Sequence, residues 1–137
     1  MRTSAITTLV AAAAGFVLTI GAALANPEGT YRVEGTNPDD GNEYAGTVEV
    51  TRTGNTYKIV WDVGRTRYEG TGVGAVFEDG ALLVGEAQDN DVVLSVAYVA
   101  GNTYGTTIYV LQPNGTWVGS WTYGGGEDIG YETWTRN

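Results

Sequence analysis

The sequence predicts an all-β domain: a small antiparallel up-and-down β-barrel of eight to nine strands. Three observations predict it. Apolar and polar residues alternate with period two in segment after segment. Turn dipeptides separate those segments at intervals of roughly 8–14 residues. No window carries a convincing apolar period of 3.6 residues.

The segments run in order. Strands are expected near 29–35, 43–52, 55–63, 66–77, 80–87, 91–99, 104–112, 115–123 and 129–136. Tyr44, Gly46, Val48 and Val50 share one face of the second. Tyr57, Ile59, Trp61 and Val63 share a face of the third, against Lys58, Val60 and Asp62. Trp117, Gly119, Trp121 and Tyr123 do the same in the eighth. Asp40-Gly41, Gly54-Asn55, Asp79-Gly80, Gly101-Asn102 and Asn114-Gly115 are hairpin-turn pairs, because these residues accept positive φ cheaply. An up-and-down sheet has two edges to hide, and closure into a barrel removes them. The Gly-rich run Tyr68–Gly74 suits closure, since glycine in a strand permits sharp coiling and close approach. A β-sandwich of the same strands is the alternative.

Residues 1–25 read as a cleavable export signal. Arg2 opens it, an apolar run follows, and Ala23-Leu24-Ala25 forms a small-residue cleavage box before Pro27. The single barrel domain is then 26–137, in a protein expected in the periplasm or outside the cell. No membrane span remains after cleavage.

Composition excludes several chemistries. The chain of 137 residues has no Cys and no His. There is therefore no disulfide, no Cys/His zinc site and no Ser-His or Cys-His catalytic pair. The formal charge of −9 opposes nucleic acid and anionic membrane. No cofactor and no metal ion is expected. The clustered oxygens of Asn37–Glu43 and Glu86–Asp91 lack the spacing of a calcium loop and fit plain turns.

Carboxylates are the one abundant group with catalytic chemistry. Asp39, Asp40, Glu43, Asp79, Asp89, Asp91, Glu127 and Asp128 fall in turns, where solvated charge is expected. Glu49, Asp62 and Glu69 fall on outer faces, and only Glu34 and Glu132 are ambiguous. The chain reads as a non-enzyme. Tyr57, Trp61, Trp117, Trp121 and Tyr123 are the candidates to line a ligand pocket or to fill the core.

Two family resemblances accompany these residues. Gly29-Thr-Tyr31 at the start and Trp134-Thr-Arg136 at the end resemble the terminal strands of avidin- and lipocalin-like barrels. That resemblance implies first-to-last strand pairing, with Tyr31, Trp134 and Arg136 closing the barrel and Arg136 over an aromatic ring. Gly29-Thr-Tyr-Arg-Val33, Gly35-Thr-Asn-Pro-Asp39, Tyr44-Ala-Gly-Thr-Val48, Gly54–Trp61, Tyr68-Glu-Gly-Thr-Gly72, Pro113–Trp117, Gly119-Ser-Trp121 and Glu132-Thr-Trp134 are together similar to small exported bacterial proteins labelled fibronectin-binding protein. The chain departs from that pattern at Asp62–Arg65 and from Glu78 to Asp91. The second resemblance implies an exported binding protein whose partner is an extracellular matrix or other protein, by strand addition to a sheet edge or through the acidic surface. A carrier of a small apolar or sugar ligand is the alternative.

Overall fold

The computed structural model describes residues 25–137. The expected export signal thus lies outside the described residues, apart from Ala25. Nine strands follow in order: β1 Gly29–Thr36, β2 Glu43–Thr53, β3 Thr56–Val63, β4 Thr66–Glu78, β5 Ala81–Gly85, β6 Val93–Ala100, β7 Thr103–Leu111, β8 Trp117–Tyr123 and β9 Gly130–Arg136. Every pairing is antiparallel.

Eight of these strands close into a barrel. β1 joins β9, with Val33 opposite Trp134, and β3 joins β4, with Trp61 opposite Tyr68. β5 is the extra strand. It pairs only with the far end of β4, across a tight turn in which Asp79 has φ 50° and Gly80 φ 79°. Positive φ at both central residues is the twist-matched hairpin geometry, and Asp-Gly supplies it with little strain. β4 carries the crossover because it is long enough to pair with β3, β6 and β5 in succession.

The inward face is apolar and aromatic, as alternation requires. Tyr31, Val33, Val48, Val50, Tyr57, Ile59, Trp61, Leu94, Val96, Tyr109, Trp117 and Trp134 form one buried cluster. An eight-stranded barrel is only just wide enough for its own side chains. Glycines on the facing wall make the room. A Cβ on Gly70 would sit 2.8 Å from both Trp61 and Val96, and one on Gly119 would overlap the Tyr109 ring. Gly119→Ala is therefore expected to cost about 2–3 kcal/mol through overpacking. Gly85→Ala is the control, because nothing lies near that position and its φ is ordinary. Urea midpoints of the two variants, compared with wild type, check the contrast.

One end of the barrel is sealed. Arg136 donates to the carbonyls of Glu28 (2.9 Å) and Asn26 (2.7 Å) and to the Tyr31 hydroxyl (2.7 Å). Its guanidinium lies 4.8 Å from the Tyr31 ring centroid, and Tyr31 donates onward to the Pro27 carbonyl at 2.7 Å. The segment after β5 folds over the same end, where Ala87 and Asp91 are buried. Asp91 corrects the expectation of a solvated turn acid. Its Oδ2 accepts from the Tyr57 hydroxyl at 2.6 Å and from the Gln88 backbone at 2.8 Å. Gly74 leaves the space its carboxylate fills.

Candidate functional site

The opposite end is open. Its rim is the β1–β2 loop with Asn37, Pro38, Asp39 and Asp40. Below the rim lies a cavity of about 510 Å³. A pocket of a few hundred Å³ suits a small organic ligand. The walls carry Tyr44, Trp61, Tyr68, Tyr98, Trp121 and Tyr123, and Glu132 and Thr107 lie among the lining residues.

Glu132 reaches this position by strand parity. It shares the inward face of β9 with Gly130 and Trp134, and Gly35 and Gly119 stand opposite it on the neighbouring strands. It is 6% exposed. An isolated carboxylate buried to that extent costs several kcal/mol. Four donors offset that cost. Oε1 accepts from Trp134 Nε1 (2.5 Å), Tyr109 (2.8 Å) and Trp61 Nε1 (2.9 Å). Oε2 accepts from Tyr44 alone, at 2.5 Å. A carboxylate offers roughly four lone-pair directions, about two on each oxygen, so this uneven loading leaves Oε2 with one unused. Among the described residues, no basic side chain is present in the lining.

The rings meet edge to face. Tyr98 lies 6.0 Å from Tyr68, 6.1 Å from Trp61 and 6.4 Å from Trp121, and Trp121 lies 6.1 Å from Tyr44. Their planes cross at 64° to 80°. Such contacts set a positive ring edge against a negative ring face and hold the walls at steep angles to one another. Tyr123 ties β8 to the rim by donating to Asp39 at 2.6 Å. Two polar atoms here have no protein partner: Thr107 Oγ1 and Trp121 Nε1. Buried polar groups ordinarily find one.

The phenols are set against ionisation. Burial, then the charge and hydrogen bond of Glu132, push the Tyr44 hydroxyl far up. Burial and Glu132 do the same to Tyr109. Burial and then Asp91 raise Tyr57, at the sealed end. Tyr98 is raised to about 12, by burial first and then by Tyr68 and Glu132. A raised folded-state pKa contributes stability below the unfolded value, and that stability drains away as pH climbs through the folded value. The barrel is thus expected to hold Tyr44, Tyr57, Tyr98 and Tyr109 protonated to about pH 10, the ordinary tyrosine value. Above that it should lose stability steeply. The phenolate absorbance of these four rings at 295 nm should rise together with loss of the folded circular dichroism signal. Full phenolate formation in a folded barrel would contradict this.

The expected pocket residues separate by depth. Trp61, Trp121 and Tyr123 lie at the mouth. Tyr57 and Trp117 belong to the sealed core, 1% exposed each. Of the two ambiguous acids, Glu34 points out and pairs with Arg32, whereas Glu132 is inside. Tyr44, Tyr68, Tyr98, Thr107 and Tyr109 complete the site. Parity places Tyr44 with Gly46, Val48 and Val50, and this pattern is the signal that marks it as inward.

No family model matches the chain, and no curated protein does. Among solved structures it is similar to a redesigned β-barrel, with 16% identity and a TM-score of 0.57 over 88% of this chain and 97% of that one. That likeness concerns the fold alone.

Proposed function

We propose that the protein is a non-catalytic binding protein that holds a small organic ligand in the aromatic mouth of the barrel. The observation that carries this is the contrast between the two ends. One end is filled by side chains and capped by Arg136 and Asp91. The other keeps a cavity of about 510 Å³ with a hydrogen-bonded carboxylate and two unpartnered polar atoms in its walls. The sealed end also leaves one buried polar atom unpaired, Asp91 Oδ1, so the cavity itself is what sets the mouth apart. Native mass spectrometry of the protein purified from its own host tests this reading. Wild type should carry a non-covalent small-molecule adduct, and Thr107→Phe, which fills the mouth, should lose it. A bare wild-type mass would contradict it.

A second reading keeps a matrix protein as partner and rests on β5. This strand has one partner, β4, and all five of its residues are exposed, among them Leu82, Leu83 and Val84. An unpaired edge of this kind accepts an extended peptide as a further strand. If fibronectin is that partner, Leu83→Pro should abolish capture of the protein on immobilised fibronectin while the barrel stays folded. Capture that weakens with salt and ignores Leu83→Pro would move the contact to the acidic surface.

A further inference from the structure

We propose that the ligand of the mouth is a small organic ammonium ion carrying at least one N–H. This rests on the reading of the mouth as a ligand pocket and adds the chemistry of its occupant.

Three independent features point the same way. The first is charge. Among the described residues, the cavity lining holds three carboxylates, Asp39, Asp40 and Glu132, and no Lys or Arg. With no basic side chain in the lining to balance them, a positive guest is favoured and an anion repelled. The second is the wall. Tyr68, Trp61 and Trp121 each meet Tyr98 edge to face, at 64° to 80°. Aromatic rings thus make up much of the cavity lining, and the face of an aromatic ring attracts a cation through its quadrupole. A neutral guest, apolar or sugar, uses the rings or the polar groups of the wall but draws nothing from the net negative charge of its acids.

The third feature is the unused acceptor capacity. Glu132 Oε2 accepts one hydrogen bond where Oε1 accepts three. Thr107 is 3% exposed and its Oγ1 has no partner. Both are oxygen acceptors in the lining of one cavity, and an ammonium N–H satisfies either. Trp121 Nε1, the other unpartnered atom of the mouth, is a donor and suits a polar oxygen elsewhere on the guest. No new bond forms, so the role is capture, with the carbon body of the guest against the rings.

The test uses two probes of one skeleton, 2-phenylethylamine and 2-phenylethanol, titrated calorimetrically at neutral pH into the full chain. The first is cationic with N–H donors; the second is neutral. The amine should bind at least about tenfold more tightly than the alcohol, the ratio expected for a cation desolvated among aromatic faces. Asp39→Asn combined with Asp40→Asn, both at the exposed rim, should shrink that ratio, lowering amine affinity more than alcohol affinity. Glu132→Gln should remove most of it. The rim variant keeps the test valid where the Glu132 variant fails to fold. If the alcohol binds as well as the amine, the ammonium assignment is overturned while the pocket reading stands. If neither binds, the ammonium assignment also falls, and the native mass measurement decides the pocket on its own.

Discussion

Glu132→Ala is expected to cost the barrel about 4 kcal/mol, a large share of the 5–15 kcal/mol that holds a typical domain together. The substitution removes the one acceptor shared by Trp61, Trp134, Tyr109 and Tyr44. Each N–H or O–H left without a partner loses roughly 1–3 kcal/mol, softened where water enters from the mouth. Glu132→Gln should fall between wild type and alanine, since its amide turns a donor toward donors. Glu34→Ala on the outer face of β1 is the control and should change little, its ion pair with Arg32 being solvent-exposed. Urea unfolding followed by tryptophan fluorescence measures all three. A loss below about 1 kcal/mol for Glu132→Ala would mean that the four donors are not spent on this carboxylate.

Trp134→Ala should be comparably damaging, at about 4 kcal/mol. The ring is fully buried, 3.9 Å from Tyr109, 5.7 Å from Tyr31 and 6.1 Å from Trp61. It joins the sealed end to the carboxylate of the open one. Its removal creates a cavity bordered by rings that cannot collapse together, because the closed strands fix their spacing. Trp134→Phe separates the two contributions: it keeps most of the packing and loses the N–H, so about 1–2 kcal/mol is expected. Thermal and urea unfolding of the pair give the comparison. Equal losses for Phe and Ala would assign the whole effect to the hydrogen bond.

The barrel was legible in the sequence because alternation and turn chemistry are local. The Tyr57–Val63 face, the Trp117–Tyr123 face and Asp79-Gly80 each report on their own few residues. Closure was legible through the terminal strands, where Tyr31, Trp134 and Arg136 meet. Depth along the barrel was not. Period two states which face a side chain takes and not which end of the barrel it reaches. Trp117 and Trp121 share a face of β8, yet one is core and the other lines the mouth. The branch at β4 was also hidden, since β5 reads as one more strand of an up-and-down sheet until the β4–β6 pairing is seen.

The two buried acids show the other limit. Asp91 follows Asp89-Asn90, and three polar residues in a row read as a solvated turn. It is buried because Tyr57 reaches it from β3, while the Gln88 backbone three residues earlier adds a second, local bond. Glu132, like Glu34, is ambiguous in the sequence, although it alternates with Gly130 and Trp134. Its four donors come from β2, β3, β7 and β9, a convergence that only closure of the sheet creates.

The site at the mouth is tested most directly by following the four tryptophan indole N–H signals by nuclear magnetic resonance while 2-phenylethylamine is added. Trp61 and Trp134, bonded to Glu132, should exchange slowly with solvent even before the amine is added. Trp121, whose N–H has no partner, and Trp61 should shift as the amine binds. Trp117, in the sealed core, should not move. Shifts of equal size at Trp117, or no shift at Trp121, would contradict a ligand site built on Glu132 at the open end.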